Sequence, residues 1–504
     1  MRSKKALLSF FFSTISQIIN IALSLVVRRL FIKTLGTDLL GLNSLYNSLI
    51  SFLSISELGI GQSISMCLYK AIAHDDVESV KSYMKMLQKV YFIIGAMILL
   101  LGGVVTPFVY LFSDVQRSHG FLSKTFLIYV LSTGFSYFFS YKKILLTAEQ
   151  KNYIIAIGQL FYHLVLNVSQ LLILIFLKNY YYYLLAIMIC SLIENIVVSL
   201  ICTKKHPELY EKTKSLDSEQ KKDLFSKVKG MMFYKVSNYL IQSADNIIIS
   251  VVVGTIFVAY YANYHLISNL LFSIFSNVAA SSIAGLGNIL YSDKENLKSA
   301  FSRLLLIQSI VFSVSTACFF SLSDSFVTIV FGNNLTLNLL TVFLLSLSYN
   351  IKGYSYALES LRESAGLFEQ DRYINLWIAV LNIALSIGLA LLIGIDGVII
   401  GTIVCYVIKE FIVVPRIVFK HVLPNEGRWY CKKVISHMIL SFVLMIITFI
   451  LHRLFFDSIG LYTWMLEAVV YLVICIGINV LVNIRKQDFR LLAKSFVRMV
   501  KRVS

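Results

Sequence analysis

The stretch LGTDLLGLNSLYNSLISFL, which begins at Leu35, recurs in similar form as VGTIFVAYYANYHLISNLL, which begins at Val253. The two stretches lie 218 residues apart, the difference between positions 253 and 35. Further along the chain, VESVKSYMKML at Val77 resembles KENLKSAFSRL at Lys294, with nearly the same separation. Similarity at a constant separation indicates an internal duplication, so the sequence predicts two structurally related halves.

The composition places both halves in a membrane. Of the 504 residues, 58% are hydrophobic and only 14% are charged, and the mean hydropathy is +0.77. Soluble domains typically contain about 45–50% apolar and about 25% charged residues. Soluble enzymes, disordered chains, collagens and disulfide scaffolds are therefore excluded as classes.

Fourteen apolar windows are long enough to cross a bilayer. They lie at 7–32, 39–68, 89–112, 122–141, 153–177, 181–203, 230–256, 260–291, 304–331, 337–358, 374–394, 397–419, 435–455 and 463–484. All are too long for strands, and lipid tolerates only structures that satisfy their own backbone hydrogen bonds, so helices are predicted. We expect an all-α integral membrane protein with about 14 transmembrane helices, arranged as two six-helix pseudo-symmetric bundles plus two C-terminal helices.

The predicted domain boundaries follow from these windows and from the polar segments between them. They are an N-terminal bundle (1–203), a cytoplasmic linker (204–229), a C-terminal bundle (230–420), two additional helices (421–484) and an amphipathic tail (485–504). The tail is interpreted as an interfacial helix on an anionic leaflet, and partner binding is the alternative.

The distribution of charge predicts the orientation. With the N-terminus inside, 36 of the 45 Lys and Arg residues fall in inner segments. Such asymmetry is typical of cytoplasmic loops, so both termini are predicted to be cytoplasmic. Because the basic residues form short clusters between apolar runs and not one stripe, no nucleic-acid partner is expected.

Two matching polar stripes mark a candidate substrate site. In span one the stripe consists of Gln17, Asn20, Ser24 and Arg28, and in span seven of Lys235, Asn238, Gln242 and Asn246. Each set lies on one helical face and occupies equivalent positions of the repeat. Asn43 and Asn47 add amides from span two. Two related bundles suit a secondary transporter with a central water-filled cavity. The alternative is that these groups only form hydrogen bonds between helices.

The two arginines of span one are expected to differ. Arg29 lies roughly 100° around the helix from Arg28, so at most one of them points squarely inward. Arg29 is expected to extend towards the membrane interface, whereas Arg28 either lines the cavity or does the same.

Two acidic residues lie at membrane depth. Asp245 in span seven and Glu57 in span two each suit either a structural ion pair or a proton or Na+ coupling site. Gly59 and Gly61 beside Glu57 would allow close backbone approach or a local break in the helix.

No motif for covalent chemistry is present. The sequence contains no P-loop, H-E-x-x-H or G-x-S-x-G motif, and every predicted outer loop is short. The seven cysteines form no C-x-x-C pair and are interpreted as small core residues. No catalytic residue, metal site or cofactor is expected, and the chain is predicted not to be an enzyme.

Two segments resemble a known family. RRLFIKTLGTDLLGLNSLYNSLISFLSISELGIGQSISMCLYKAIA, from Arg28 to Ala73, is similar to the first-half signature of Wzx-type polysaccharide flippases. SADNIIISVVVGTIFVAYYANY, from Ser243 to Tyr264, resembles their second-half signature. These flippases belong to the multidrug/oligosaccharidyl-lipid/polysaccharide exporter superfamily.

The resemblance implies a flippase in the bacterial plasma membrane. It would move undecaprenyl-diphosphate-linked oligosaccharide units from the cytoplasmic to the outer leaflet by alternating access, for surface polysaccharide such as capsule or exopolysaccharide. Arg28 and Lys235 would bind the diphosphate, and the amides and hydroxyls would bind the sugars. Implied partners are the lipid-linked oligosaccharide, membrane lipids, H+ or Na+, and a polysaccharide polymerase with other glycan-assembly proteins. The second-half stripe carries one Lys and no Arg, which departs from the peptidoglycan-precursor flippases.

Two other functions remain open at this point. A cation-coupled multidrug antiporter of the same superfamily would have twelve spans and acidic cation sites. A non-transporting scaffold of a glycan-assembly complex would not need the polar stripes.

Overall fold

The computed structural model of the chain is helical, with no strand in the residues that it describes. These are residues 2–57, 60–73, 76–149, 151–207, 236–237, 240, 244–292, 294–332, 335–365, 367, 372–455 and 460–492. Contacts divide the chain into two compact units, Met1–Ala259 (unit 1) and Tyr260–Ser504 (unit 2).

Unit 1 contains nine of the described helices and the first residues of a tenth. They are α1 (Arg2–Leu35), α2 (Thr37–Leu53), α3 (Ile60–Ala73), α4 (Val77–Val105), α5 (His119–Ser140), α6 (Lys142–Ala148), α7 (Asn152–Leu172), α8 (Tyr180–Lys205) and α9 (Ala244–Val253). A 3₁₀ segment, Thr106–Phe112, extends α4, and a π-helical turn, Ile173–Leu177, extends α7. A hydrophobic core that includes Ile64, Leu87, Leu145 and Val198 joins α3, α4, α6 and α8.

Unit 2 contains most of α10 and seven further described helices. They are α10 (Thr255–Ser292), α11 (Lys294–Phe331), α12 (Leu339–Ser364), α13 (Arg372–Ile393), α14 (Ile395–Val407), α15 (Val414–His421), α16 (Gly427–Phe455) and α17 (Leu461–Asn483). A π-helical segment, Ile408–Val413, joins α14 to α15 without a break in the helix. The core around Phe301, Leu358, Val418 and Tyr430 holds α11, α12, α15 and α16 together.

Each described α-helix except α6 overlaps a predicted apolar window, and several helices extend beyond the window. Residues 230–243 of the seventh window fall mostly outside the described ranges. Most of the predicted linker and of the tail also lies outside them. Eight helices in the described part of the chain are long and apolar enough to cross a membrane. The chain is therefore an all-α, multi-pass membrane protein. The number of about 14 spans, the domain boundaries and the orientation of the termini stay predictions.

The second window contains the break that its glycines allowed. α2 ends at Leu53, a 3₁₀ turn follows at Ser54–Glu57, and α3 begins at Ile60. A Cβ atom on Gly61 would lie 2.8 Å from the Tyr91 hydroxyl oxygen. A 3₁₀ turn thus follows α2 within span two, and Gly61 allows α3 to approach the Tyr91 side chain of α4 closely.

The internal repeat is visible in the turns as well as in the sequence. Gly36, between α1 and α2, has φ 91°, and Gly254, between α9 and α10, has φ 131°. These are the glycines of the two aligned stretches, and side-chain-bearing residues rarely adopt such φ values. Lys178 and Gly394, in the turns after α7 and α13, also share a positive φ. The turns at Gly36 (ψ 167°) and Gly254 (ψ 147°) thus have similar conformations at equivalent positions of the repeat. Lys178 (ψ 39°) and Gly394 (ψ −137°), in contrast, differ in conformation.

Candidate functional site

The polar stripe of α1 lies against α7. Gln17, Asn20, Ser24 and Arg28 are all half-buried, and α1 and α7 pack along their lengths. Asn167 Nδ2 on α7 donates a hydrogen bond to Asn20 Oδ1 at 3.3 Å. Asn20 therefore forms a hydrogen bond between helices, which was the alternative to lining a cavity.

Arg28 and Arg29 lie in different surroundings. Arg28 is half-buried and its Nη2 atom is fully buried, whereas Arg29 is exposed. The Arg28 guanidinium is close enough to interact electrostatically with Tyr183 on α8. The difference matches the rotation between neighbouring helical residues. Arg28 is thus the cation that this part of the bundle holds inside.

The amides of α2 connect to two neighbouring helices. Tyr129 on α5 donates a hydrogen bond from its hydroxyl to Asn43 Oδ1. Asn47 is exposed, and its Nδ2 donates to the Asn43 carbonyl at 2.9 Å. Asn246 Nδ2 on α9 donates to Ser48 Oγ at 2.9 Å, while the buried Asn246 Oδ1 accepts no hydrogen bond from the described residues. Asn246 therefore retains an acceptor inside the bundle.

Of the second stripe, only Asn246 lies within the described residues. Lys235, Asn238 and Gln242 lie outside the described residues. Asp245, next to Asn246 on α9, is 4% exposed and therefore buried.

Glu57 lies at the break in span two and is held by two tyrosines. Tyr91 on α4 donates to Glu57 Oε1 at 2.6 Å, and Tyr137 on α5 donates to Oε2 at 2.5 Å. Within the described ranges, Glu57 has no basic partner. A carboxylate bound by two neutral hydroxyls can gain or lose a proton without breaking an ion pair. Among the described residues Glu57 is thus held by hydrogen bonds and not by an ion pair, and a coupling role stays a prediction.

The C-terminal end of α9 is attached to the segment after α4. Thr255 donates its backbone N–H to Asp114 Oδ1 at 2.8 Å, and Ser250 Oγ donates to the Phe112 carbonyl at 2.6 Å. Burial tends to raise the pKa of Asp114, but its hydrogen bonds with Thr255 outweigh burial and lower the pKa. A Cβ on Gly41 would lie 2.1 Å from the Thr255 carbonyl oxygen. The start of α10 and the start of α2 are therefore packed at backbone contact.

A buried group of four charges in unit 2 was not predicted. Arg362 Nη1 lies 3.0 Å from Glu359 Oε2, and Lys409 Nζ lies 3.1 Å from Glu359 Oε1 and 2.9 Å from Glu410 Oε1. The Arg362, Lys409 and Glu410 residues are 0%, 5% and 4% exposed. The two carboxylates are matched by two cations, so the charges compensate one another inside α12 and the π-helical segment.

The sequence analysis missed this group because it ended the tenth span at residue 358. α12 in fact continues to Ser364, so the predicted end is wrong. Charged residues usually mark the end of an apolar window, but here they are paired inside the bundle. The available signals were the three-residue spacing of Glu359 and Arg362 and the basic residue Lys409 within span twelve.

An apolar cavity of about 440 Å³ lies between α7 and α8. Its walls include Phe161, Val165 and Ile193, and Glu194 is its one acidic residue. Glu194 Oε2 accepts from Lys143 Nζ at 2.6 Å, and the buried Oε1 has no hydrogen-bond partner among the described residues. The cavity therefore combines apolar walls with one available carboxylate oxygen.

Solved structures with the same arrangement of helices are transporters. A multidrug resistance MATE family transporter of the MOP superfamily, in an inward-facing conformation, is 13% identical with a TM-score of 0.64, covering 83% of this chain and 96% of that one. The lipid II flippase MurJ, in an inward closed conformation, is 14% identical with a TM-score of 0.61, covering 94% and 100%. A mutant of the Vibrio cholerae MATE transporter VcmN is 16% identical with a TM-score of 0.58, covering 84% and 99%.

The fold is that of these transporters. No protein-family model matches the sequence, and no curated protein sequence matches it. At identities of 13–16% the likeness establishes the fold and leaves the cargo open. The superfamily expected from the two signature segments fits this fold, whereas Wzx-type specificity stays a prediction.

Proposed function

We propose that the chain is a flippase that moves undecaprenyl-diphosphate-linked oligosaccharide units from the cytoplasmic to the outer leaflet of the bacterial plasma membrane. The observation that carries this proposal is the placement of Arg28, whose guanidinium is held inside the helical bundle while Arg29 is exposed. A buried arginine in a membrane protein is costly and is retained where it binds an anion or a structural partner.

The residues around Arg28 suit a glycolipid head group. An arginine fork binds phosphate oxygens through two parallel hydrogen bonds, which makes it a better diphosphate ligand than a neutral side chain. Lys235, Asn238 and Gln242 would supply the second-half contacts. Sugar hydroxyls need amides, and Gln17, Asn43, Asn47 and Asn246 provide them. The prenyl chain would remain in lipid while the head group crosses.

Glu57 is the residue that would couple the proposed transport cycle to an ion gradient. Its carboxylate accepts hydrogen bonds from two neutral tyrosine hydroxyls, so binding of H+ or Na+ would change its charge without disrupting an ion pair. Asp245, also buried, is the second candidate for this role. Removal of the product outside by a polysaccharide polymerase and other glycan-assembly proteins would make export directional.

The test compares two neighbouring arginines in cells that lack the chromosomal gene. Arg28→Ala should reduce surface glycan about 10- to 100-fold, because a charge-assisted hydrogen bond to phosphate contributes about 1.5–3 kcal/mol. Arg29→Ala should retain export. The lipid-linked oligosaccharide that accumulates in the cytoplasmic leaflet of the Arg28→Ala strain identifies the cargo. Equal export by both variants, at equal protein level, contradicts the proposal.

The same assay distinguishes a scaffold from a transporter. A variant in which Gln17, Asn20, Arg28 and Lys235 are all replaced by apolar residues should abolish export. If it still supports surface glycan, the chain acts as a non-transporting scaffold.

The second candidate function is a cation-coupled multidrug antiporter, which is favoured by the cavity between α7 and α8. Its apolar walls and the Glu194 carboxylate suit a lipophilic cation. Proton-coupled uptake of a fluorescent cation into inside-out vesicles, lost in Glu194→Gln and retained in Arg28→Ala, would support this function over the flippase.

A further inference from the structure

A basic groove in unit 2 lies outside every site described so far. It is formed by the π-helical segment before α15, by α15 itself and by the start of α16, and its volume is about 740 Å³. Arg416, Lys420 and Arg428 line it, and no acidic residue does. All three side chains are exposed, and none is in an ion pair within the described ranges. The groove therefore presents three uncompensated positive charges.

The nearest carboxylate does not neutralise these charges. Glu426 precedes α16, and its Oε1 lies 2.7 Å from Lys298 Nζ on α11. Lys298 also lies over the ring of Trp429, at 5.4 Å from the centroid. Glu426 is thus already paired with Lys298.

The N-terminus of α16 strengthens the attraction for an anion. α16 begins at Gly427 and runs for 29 residues. Its first backbone N–H groups have no acceptor within the helix, and the helix dipole places partial positive charge there. Arg416 and Lys420 are four residues apart on α15, so they are neighbours and repel each other until an anion lies between them.

The groove is rigid before any ligand arrives. Its base is Phe419, whose ring centroid lies 5.2 Å from that of Tyr430, and Tyr430 in turn stacks on Phe301. The turn between α15 and α16 includes Asn425, which has φ 68°. Because Tyr430 is 1% exposed and part of the unit 2 core, binding need not order the site first.

Exposed apolar side chains lie along the same helices as the cations, at Ile412 in the groove and at Ile435 beyond the residues that line it. Ile412 lies one turn before Arg416 and is 40% exposed, and Ile435 lies two turns after Arg428 and is 56% exposed. Residues at these spacings share a helical face. A ligand that has a phosphate group and two apolar chains would contact all four residues, whereas free phosphate would contact only the basic pair.

We propose that this groove binds the phosphate-bearing head group of an anionic membrane phospholipid, with the acyl chains lying along Ile412 and Ile435. Basic pockets between transmembrane helices are suited to anionic head groups, since the lipid supplies the charge and the bilayer keeps its local concentration high. The inference does not depend on which cargo the protein transports.

The test is native mass spectrometry of the full chain in detergent, titrated with phosphatidylglycerol or with phosphatidylcholine. Wild type should bind phosphatidylglycerol about tenfold more tightly. The triple variant Arg416→Gln, Lys420→Gln, Arg428→Gln should lose that preference. A matched control, Lys85→Gln, Lys89→Gln, Lys204→Gln, removes three other exposed basic residues and should keep it. If the triple variant keeps the preference, the proposal is wrong.

Two further measurements keep the test decisive. Lys420→Gln alone removes one exposed charge and keeps the test open if the triple variant does not fold. It should weaken phosphatidylglycerol binding about threefold. Unchanged binding would overturn the proposal. Ile412→Asn with Ile435→Asn should weaken phosphatidylglycerol binding while competition by inorganic phosphate is unchanged. If inorganic phosphate displaces the lipid at equal concentration, the groove is a general phosphate site and the lipid assignment fails.

Discussion

Glu57 in unit 1 and Glu359 in unit 2 are both carboxylates inside a helical bundle, but their partners differ. Glu57 accepts hydrogen bonds from two tyrosine hydroxyls. Glu359 is in ion pairs with Arg362 and Lys409. The first arrangement stabilises the carboxylate through neutral dipoles, and the second through full opposite charges.

The same contrast appears in the polar segments outside the spans. Asp114 in unit 1 is bound by the Thr255 backbone N–H at 2.8 Å. Asp488 in unit 2 is bound by Lys433 Nζ at 2.6 Å and by Ser302 Oγ at 2.6 Å. Burial acts to raise the pKa of both carboxyls, and in both the partners outweigh burial and lower it.

This difference separates groups that can change their charge from groups that cannot. Protonation of Glu57 leaves two tyrosines with a neutral acceptor. Protonation of Glu359 would leave two buried cations with one carboxylate, at a far greater electrostatic cost. We therefore expect the coupling chemistry in unit 1 and a fixed structural element in the charge group of unit 2.

The largest effect is expected for Lys409→Met. The substitution removes the cation that both Glu359 and Glu410 contact, and breaking a buried ion pair in this way typically costs about 3–5 kcal/mol. The free energy of unfolding, from denaturant titration in detergent, should fall by that amount. Lys432→Met, which removes an exposed lysine of α16, should change it by less than about 0.5 kcal/mol.

A second substitution checks that charge imbalance is the cause. Adding Glu410→Gln to Lys409→Met should recover part of the lost stability, because Lys409 is the cation that Glu410 contacts, whereas Glu359 keeps its ion pair with Arg362. A double variant less stable than Lys409→Met would show that packing, and not charge, dominates at this position.

Glu57→Gln should lower the free energy of unfolding less than Lys409→Met does, but it should reduce export more. Glutamine keeps the size of the side chain but offers one acceptor oxygen to two hydroxyl donors, so we expect a loss of about 1–3 kcal/mol. Because the amide cannot take up a proton, export should become independent of the ion gradient or cease. Surface glycan in intact cells, at equal protein level, measures this.

Tyr137→Phe provides the control for Glu57. It removes one hydrogen bond and keeps the carboxylate, so gradient-dependent export should survive with a lower Tm. If Glu57→Gln exports normally while Lys409→Met fails to export despite folding, the assignment of coupling to unit 1 and structure to unit 2 is reversed.

The two carboxyls outside the spans should respond to pH in the same direction. A pKa lowered in the folded state stabilises the protein above the unfolded value, about 3.9 for Asp, and the stabilisation is lost as the pH falls through the folded value. The Tm difference between wild type and Asp114→Asn, or Asp488→Asn, should therefore be full at pH 7 and vanish once the pH falls below the folded pKa.

The salt concentration should affect the stability change of Asp114→Asn and that of Asp488→Asn differently, although pH affects both in the same direction. Raising the salt concentration from about 0.1 to about 1 M shortens the screening length from about 10 to about 3 Å. The effect of Asp488→Asn should shrink, since its partner is a lysine, while that of Asp114→Asn should persist. Equal salt dependence would contradict the contrast between neutral and charged partners.

Most helices could be predicted from the sequence because apolar run length is a local property. The repeat and the glycine-linked break at Glu57 also left local traces, in the aligned Gly-Thr pairs and in the Gly59 and Gly61 spacing. Arg28 was distinguished from Arg29 by the roughly 100° rotation between neighbouring helical residues alone.

The partners of buried charges could not be predicted, because they are distant in sequence. Lys409 and Glu359 are 50 residues apart, and Tyr137 and Glu57 are 80 apart. Treating charge as a sign of a loop also removed Glu359 and Arg362 from the tenth span. An apolar window is found from the average hydropathy of a segment. Two charged residues that pair inside the bundle lower this average as much as two charged residues in a loop, so the window ends at either.

The smallest effect is expected for Asn20→Leu. The residue makes one hydrogen bond to Asn167, and interhelical hydrogen bonds in membranes contribute about 0.6 kcal/mol on average. Stability should therefore change little, and the informative measurement is export. Asn167→Leu removes the same hydrogen bond from the other helix and is the matched control. If Asn20 binds sugar, Asn20→Leu should reduce export more than Asn167→Leu does. Equal and small effects of both would mean that this position of the stripe only joins two helices, as the hydrogen bond between Asn43 and Tyr129 does.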